Sequence, residues 1–216
     1  MLKVQSFTFN PFQENTYLII APGGSCIIID PGCYDRSEQQ ILRQFIEEHQ
    51  LKPVRLINTH AHIDHVLGND FIYQTYQLTP ELHRADLPTL AAIPQYAGAY
   101  GLNYTPSPEP QQLLEHGDTI QLEGCDIHVR FAPGHAPGHI MLFNENDYWL
   151  IAGDVLFQRS IGRTDLPGGD YDTLIQSIKE QCFTLPDETK VYCGHGPDTT
   201  IGEEKRYNPF CGAVAS

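Results

Sequence analysis

Four side chains of types that bind metal ions lie within six positions of one another in His60-Ala61-His62-Ile63-Asp64-His65. They follow an apolar stretch that is typical of a β-strand. In extended chain, residues i and i+2 share a face, so His60 and His62 can bind one ion together. Asp64 and His65 come after the chain turns and can reach a second ion. Imidazole and carboxylate donors favour zinc, iron or manganese, whereas a set of thiolates would indicate a closed structural zinc site.

Three further candidate ligands occur downstream, each directly after a strand-like apolar segment. They are His135, Asp154 and His195. Loops held by a rigid sheet gather functional groups, so these positions favour one shared site. Seven ligands suffice for two metal ions, with Asp154 offering one oxygen to each. The others divide into His60, His62 and His135 on one ion, and Asp64, His65 and His195 on the other.

This ligand pattern resembles that of the metallo-β-lactamase superfamily and, within it, that of the glyoxalase II-like hydrolases. The resemblance runs from the amino terminus to about Pro209. It implies an α/β fold, a four-layer αβ/βα sandwich with the metals at one edge of two facing sheets, and a single domain over residues 1–216. Asp154 favours the glyoxalase II-like branch, because the true β-lactamases generally carry cysteine at that position.

The resemblance implies hydrolysis of a thioester of the S-2-hydroxyacylglutathione type by a hydroxide that bridges two divalent metal ions. Zinc is the expected metal, with iron or manganese as alternatives. Asp64 is the candidate catalytic residue, because its carboxylate can orient the nucleophile. The long glyoxalase II enzymes hold glutathione with a basic carboxy-terminal extension. Here 21 residues follow His195, and Lys205 and Arg206 are their basic residues. A different thioester or an ester therefore stays open as substrate.

A rival interpretation is an oxidoreductase. Ile161-Gly162-Arg163-Thr164-Asp165 resembles a segment of the persulfide dioxygenases in the same superfamily. Those enzymes use one iron, whose ligands would be His60, His135 and Asp154 in this chain. A salt-bridged loop is the alternative explanation for Arg163 and Asp165. A non-catalytic metal-binding protein is disfavoured, because all seven ligand positions are filled.

Other polar residues near the motif have supporting roles in this interpretation. His139 shares a Gly/Pro-shaped turn with His135 and is expected to brace that turn by hydrogen bonding. Asp30 is expected to orient a ligand rather than to contact metal. Cys193 is expected to be packed. The remaining histidines are expected to be surface or packing residues: His49, His83, His116 and His128.

The composition favours an acidic enzyme for a small-molecule substrate. Thirteen Lys and Arg against 27 Asp and Glu give a formal charge of −14, which argues against nucleic acid as a partner. The amino terminus lacks an apolar signal region and no stretch approaches a membrane span, so the sequence predicts a cytoplasmic protein without a membrane partner. The six cysteines are expected to be reduced. The oligomeric state stays open.

Strand and helix signals alternate along the chain. Ser37, with Gln40 as its capping partner, predicts the start of a helix whose apolar stripe includes Ile41 and Leu42. Proline-rich Thr105 to Pro110 predicts a rigid loop. The predicted strands cover Val4 to Phe9, Thr16 to Ile20, Cys26 to Asp30 and Val54 to Ile57. Further helices are predicted over Asp64 to Tyr76, over Asp86 to Tyr96 and after Asp170.

Overall fold

The computed structural model describes residues 1–213, and this part of the chain divides into two compact units. The first unit comprises residues 1–114 and 121–125. The second comprises residues 115–120 and continues from residue 126. The interpretation of residues 1–216 as a single domain stays a prediction.

The first unit is built on a six-stranded mixed sheet with the strands in sequence order. The first three strands pair antiparallel and the last three join in parallel. The strands are β1 (Lys3–Phe9), β2 (Glu14–Ile20), β3 (Ser25–Ile29), β4 (Lys52–Ile57), β5 (Pro80–Leu82) and β6 (Gln112–Leu113). The α-helices are α1 (Arg36–Glu48), α2 (Ile63–Val66), α3 (Asn69–Tyr76) and α4 (Leu87–Tyr96). Two 3₁₀ helices cover Arg84–Asp86 and Ala97–Tyr100.

Helix α1 begins earlier than the sequence predicts. Its N-cap is Asp35, whose side chain accepts hydrogen bonds from the backbone of Ser37 and Glu38. The prediction of a capping box on Ser37 and Gln40 is therefore wrong, because the acidic side chain two residues earlier satisfies the free amides. Ile41 is 50% exposed, so its place on the apolar stripe is also wrong, while Leu42 is buried.

The helix predicted over residues 64–76 is interrupted at Leu67 and Gly68. The Gly68 amide donates to the Pro31 carbonyl oxygen at 2.7 Å. A Cβ atom at Gly68 would lie 2.6 Å from Cys33 Sγ, so only glycine fits this close approach. The break separates the short helix α2, which carries Asp64 and His65, from α3.

The second unit contains most of a second six-stranded sheet, in the order β14-β13-β10-β9-β8-β7, and a separate pair, β11 with β12. The strands are β7 (Thr119–Leu122), β8 (Cys125–Phe131), β9 (Ile140–Asn144), β10 (Trp149–Gly153), β11 (Leu156–Phe157), β12 (Ser160–Ile161), β13 (Lys190–Cys193) and β14 (Thr199–Thr200). Helix α5 (Tyr171–Ser177) continues into a π-helix (Ile178–Cys182), and α6 (Ile201–Tyr207) follows β14. Both β7 and β8 are divided between the units, since the last two residues of β7 and the first residue of β8 belong to the first unit.

Apolar side chains in each unit form their own packed clusters. One cluster of the first unit joins β2, β3 and β4 to α1 and includes Leu18, Ile28, Leu42 and Leu56. The second unit has a cluster that packs Leu150 and its neighbours against α5 and the π-helix. Among residues 1–213, no helix is both long and apolar enough to cross a membrane.

Candidate metal centre

The four predicted ligands of the first unit lie together directly after β4. The ring centroids of His60 and His62 are 4.7 Å apart, and those of His60 and His65 are 4.2 Å apart. Asp64 Oδ2 lies 3.8 Å from His65 Nε2. His60 and His65 are fully buried. The turn into α2 therefore brings three imidazoles and one carboxylate close together.

Asp30 orients this group from the end of β3. Its Oδ1 accepts a hydrogen bond from the Thr59 amide and its Oδ2 accepts one from the Thr59 hydroxyl, both at 2.6 Å. His65 Nδ1 lies 3.1 Å from Asp30 Oδ2, and His60 Nδ1 lies 3.1 Å from the Thr59 hydroxyl. One ligand atom each of Asp30, His60 and His65 lie within 4.8 Å of one another. Because these contacts occupy both Asp30 oxygens, the geometry agrees with an orienting role for Asp30.

A second buried carboxylate, which the sequence pattern does not indicate, holds the same segment. Asp86 is fully buried, and its Oδ2 accepts a hydrogen bond from the Ala61 amide at 2.7 Å. Ala61 lies between the ligands His60 and His62. A buried carboxylate is costly unless it is well paired, so this contact fixes the backbone that carries both histidines. The sequence shows Asp86 only as a residue near a helix start.

The β1–β2 turn also reaches the ligand helix α2. Asn10 Nδ2 donates to the Gly32 and Asp64 carbonyl oxygens, each at 3.0 Å. Glu14 is fully buried nearby and contacts the Thr16 hydroxyl at 2.9 Å. Burial holds the pKa of the Glu14 carboxyl well above its usual range, although the charge of His65 opposes this. A Cβ atom on Gly32 would overlap the Glu14 carboxylate, so glycine is required there.

The proline-rich loop contributes to the same support. Asn58, which precedes the ligands, donates to the His65 carbonyl oxygen at 3.2 Å. Asn69 Nδ2 donates to Asn58 Oδ1 at 2.9 Å and to the Ser107 hydroxyl at 3.0 Å. Ser107 in turn contacts the Tyr104 hydroxyl at 2.8 Å. The loop predicted over residues 105–110 is thus confirmed as irregular, and it braces the ligand segment.

The three predicted ligands of the second unit also lie together. His135 Nε2 is 3.4 Å and His195 Nε2 is 3.5 Å from Asp154 Oδ2. The His135 Nδ1–H donates to the Arg163 carbonyl oxygen at 2.8 Å, because that oxygen can only accept. The hydrogen bond fixes the tautomer and turns the Nε2 lone pair toward Asp154. Gly162 allows this packing, since a Cβ atom there would overlap the Asp154 carbonyl oxygen.

His139 braces Asp154. Its Nε2 accepts a hydrogen bond from the Asp154 amide at 3.0 Å, and its side chain is fully buried. In His135, the Nε2 atom faces the Asp154 carboxylate. In His139, the same atom instead accepts a hydrogen bond from the Asp154 backbone amide. His139 is expected from the sequence to brace the turn that it shares with His135, and the hydrogen bond found here is instead to the Asp154 backbone.

The donor chemistry fits divalent metal ions in both clusters. Histidine ligands commonly donate Nδ1–H to a carboxylate or a carbonyl, which leaves Nε2 for metal, and His65 and His135 show this pattern. Separations near 3.5 Å suit two donors that each lie about 2.1 Å from one ion. Nitrogen and carboxylate donors suit zinc, iron and manganese better than magnesium or calcium.

The family is decided by comparison with known proteins. The profile described as the metallo-beta-lactamase superfamily matches residues 9–195. The chain belongs to this superfamily. A protein named "Probable metallo-hydrolase YqgX" from Bacillus subtilis is 35% identical over 97% of both chains. "Hydroxyacylglutathione hydrolase GloC" from Haemophilus influenzae is 36% identical over 97% of this chain and 98% of its own.

Solved structures agree with this membership. The BLEG-1 B3 metallo-beta-lactamase is 33% identical, covers 97% of this chain and 99% of its own, and superposes with a TM-score of 0.88. TTHA1623 in a di-iron-bound form is 39% identical over 95% and 99% of the two chains, with a TM-score of 0.85. ETHE1 from Myxococcus xanthus is 26% identical, and the match covers 97% of this chain and 84% of its own, with a TM-score of 0.78. The predicted α/β class and metallo-β-lactamase fold are confirmed, and the relatives support a metal-dependent hydrolase.

The basic side chains that could bind an anionic substrate, Arg163, Lys205 and Arg206, form ion pairs with carboxylates in this chain. Arg163 Nε donates to Asp165 Oδ1 at 2.7 Å, which also lowers the pKa of Asp165 to about 2. Lys205 Nζ lies 2.7 Å and Arg206 Nη2 lies 3.4 Å from the Asp187 carboxylate. The salt-bridged loop expected around Arg163 is therefore present.

Cys193 and the remaining histidines occupy structural positions. Cys193 is fully buried, and burial raises the pKa of its thiol. His49 Nδ1 contacts the Phe45 carbonyl oxygen, and His83 caps a 3₁₀ helix. His116 accepts a hydrogen bond from the Phe131 amide, and His128 contacts Thr119. The six cysteines, which all lie within residues 1–213, form no disulfide bond.

Proposed function

We propose that this chain is a binuclear metal hydrolase that cleaves a thioester of the S-2-hydroxyacylglutathione type. Its proposed ligands are the seven residues His60, His62, Asp64, His65, His135, Asp154 and His195. The observation that carries the proposal is the approach of two histidine Nε2 atoms to a single Asp154 carboxylate oxygen. The GloC relative supports the thioester, because its name specifies hydroxyacylglutathione hydrolysis and it matches nearly the whole chain.

Two divalent cations held by these residues would lower the pKa of a bound water toward neutral and would polarise a carbonyl oxygen. The chain's own residues set the geometry. Asp30 and Asp86 hold the backbone and rings of the first cluster, while the Arg163 carbonyl and His139 hold the second. Asp64 has a carboxylate close to His65 Nε2, and we assign it the orientation of the attacking water by accepting its hydrogen bond.

The proposed reaction consumes one thioester and one water and releases a carboxylic acid and a thiol. A thiolate is a good leaving group, so the site needs little acid catalysis. Cys193 is not assigned the role of nucleophile, because burial raises the pKa of its thiol and keeps it protonated.

Zinc is the proposed metal, and iron is the main alternative because TTHA1623 was solved in a di-iron form. Metal analysis of protein purified without added metal decides between them. The proposal requires about two ions per chain. The proposed location is the cytoplasm, and the proposed partner is a small-molecule substrate, without nucleic acid or membrane.

The second candidate function is that of a persulfide dioxygenase with one iron held by His60, His135 and Asp154. ETHE1 from Myxococcus xanthus favours it through its fold and its 26% identity.

One activity panel separates the two functions. Purified protein of known metal content is given S-lactoylglutathione, with free thiol measured, and glutathione persulfide, with oxygen uptake measured. Thiol release that requires metal, and that is lost in Asp154→Ala, is the expected result. Oxygen uptake with one iron per chain and no thiol release would replace the hydrolase by the dioxygenase.

A further inference from the structure

Asp30 has a backbone conformation that residues with a side chain rarely adopt. Its φ angle is 48°, in the left-handed region that favours glycine. A residue stays in this region only where the surrounding structure holds it there. The carboxylate of Asp30 contacts Thr59 and His65. The groups that hold the Asp30 backbone therefore also set the direction in which its carboxylate points.

A hydroxyl group on the neighbouring strand β2 holds the Asp30 backbone. Thr16 is fully buried, and its Oγ1 donates a hydrogen bond to the Asp30 carbonyl oxygen at 2.9 Å. The same Oγ1 accepts a hydrogen bond from the Gly32 amide, also at 2.9 Å. One side chain thus binds both sides of the turn over residues 30–32, directly after β3.

Glu14 fixes the hydroxyl of Thr16. Its Oε2 lies 2.9 Å from Thr16 Oγ1, and its side chain is fully buried. A hydroxyl oxygen can take part in three hydrogen bonds, and three neighbours surround this one, so a single rotamer satisfies them all. A buried carboxyl is a costly way to fill space, which favours a role beyond packing.

Glu14 does not orient the His65 ring directly. Its Oε1 lies 3.9 Å from His65 Nδ1, which is too long for a hydrogen bond, whereas Asp30 Oδ2 lies 3.1 Å from the same atom. The contacts instead run in series, from Glu14 to the Thr16 hydroxyl, from there to the Asp30 backbone, and from the Asp30 carboxylate to the ring.

We propose that Glu14 and Thr16 are positioning residues for His65, because they hold Asp30 in the conformation that directs its carboxylate to the ring. This inference rests on the proposed function, since His65 is one of the proposed ligands. It makes the metal affinity of the centre depend on two side chains of β2 that are not ligands themselves.

Zinc titration of the full chain, freed of metal with a chelator, tests the proposal against a competing fluorescent zinc indicator. The binding step that matters is the one that His65→Ala abolishes. Thr16→Val keeps the side-chain shape but removes the hydroxyl, and it should weaken this step by roughly 10–100-fold, as other changes around metal-binding histidines do. Glu14→Met should weaken it by about 10-fold. Glu14→Gln should keep the parent affinity, because an amide can donate to or accept from the Thr16 hydroxyl.

A double variant distinguishes positioning from separate packing defects. If Glu14 acts through Thr16, the variant with both Glu14→Met and Thr16→Val binds zinc no more weakly than Thr16→Val alone, whereas independent defects add. Thr189→Val is the matched control, because Thr189 is also fully buried and its hydroxyl has no hydrogen-bond partner within residues 1–213. It should bind zinc as the parent does. Additive losses, an equal loss in the control, or parent affinity in Thr16→Val would each overturn the proposal.

A measurement on metal-free protein separates failure of this inference from failure of the proposed metal centre. Nuclear magnetic resonance of isotope-labelled histidine follows the Nδ1–H of His65, assigned with His65→Ala. Thr16→Val and Glu14→Met should speed its exchange with solvent by about 10-fold, since local opening controls exchange, while Thr189→Val should not. Unchanged exchange in both overturns the inference even if zinc binds. Faster exchange supports it even if the parent binds no zinc, a result that would instead refute the metal centre.

Discussion

Gly162→Ala is the most direct perturbation of the second ligand cluster, because it adds one methyl group and removes no polar atom. A Cβ atom at this position would overlap the Asp154 carbonyl oxygen and lie 3.0 Å from His135 Nδ1. Ordinary van der Waals contacts begin at 3.4 Å. The His135 ring must therefore move by about 0.4 Å, and the Asp154 backbone must move further. Both neighbours belong to proposed ligands.

The size of the effect follows from these displacements. Overpacking of a buried position costs about 1–3 kcal/mol, which for a protein of this size lowers Tm by about 2–12 °C. Functional groups must be held within about 0.5 Å of their productive positions, and a misplacement of about 1 Å costs on the order of 100-fold in rate. We therefore expect Gly162→Ala to lower kcat/KM by about 100-fold and to reduce metal content, with a folded protein remaining.

The assay combines metal analysis, thermal unfolding and thioester hydrolysis, with Gly98→Ala as the control. Gly98 lies in a 3₁₀ helix, and a Cβ atom there would meet nothing within 4 Å. The control should keep its metal and its activity. Normal metal content and a kcat/KM within twofold of the parent for Gly162→Ala would refute the argument that Gly162 sets the position of these ligands.

Four further substitutions test other parts of the site. Asp154→Ala should lower metal content and reduce activity by orders of magnitude while the circular dichroism spectrum persists; two retained metals with near-normal turnover would remove Asp154 from the ligand set. His139→Ala should keep metal and lose roughly 10–100-fold in activity, whereas His135→Ala should lose metal, and metal analysis showing the reverse order would exchange their roles. Asp86→Asn keeps the shape of the side chain but turns a charged acceptor for the Ala61 amide into a neutral one; unfolding titrations should show a loss of about 1–2 kcal/mol with weakened metal binding, and an unchanged metal affinity would make Asp86 a purely structural residue.

The sequence reveals the site best where its residues are close together in the chain. His60, His62, Asp64 and His65 are visible because a strand end and one turn suffice to gather them. His135 and His195 are found because each follows an apolar strand. The fold is inferred from family membership. The spacing of apolar residues along the chain alone does not distinguish it from other mixed α/β folds.

The supporting residues could not be predicted, because their partners are distant in sequence. Asp86 meets Ala61 across 25 positions and Asn10 meets Asp64 across 54. Nothing in local propensity encodes such a pair. The start of helix α1 is ambiguous in the sequence for a different reason. Asp35 and Ser37 are both good N-cap residues, and only the folded backbone decides between them.

The turn between β7 and β8 has a practical consequence for dividing this protein. Glu123 accepts hydrogen bonds from the amides of Gly23 and Ser25 at 2.7 and 3.0 Å, and residues 121–125 belong to the first unit although residues 115–120 belong to the second. The two units are therefore not formed by two consecutive segments of the chain. A fragment that stops at Leu114 leaves both amides without their carboxylate, so we expect it to be recovered poorly unless a peptide spanning residues 115–125 is supplied with it. Split reporters and fragment libraries should be cut elsewhere.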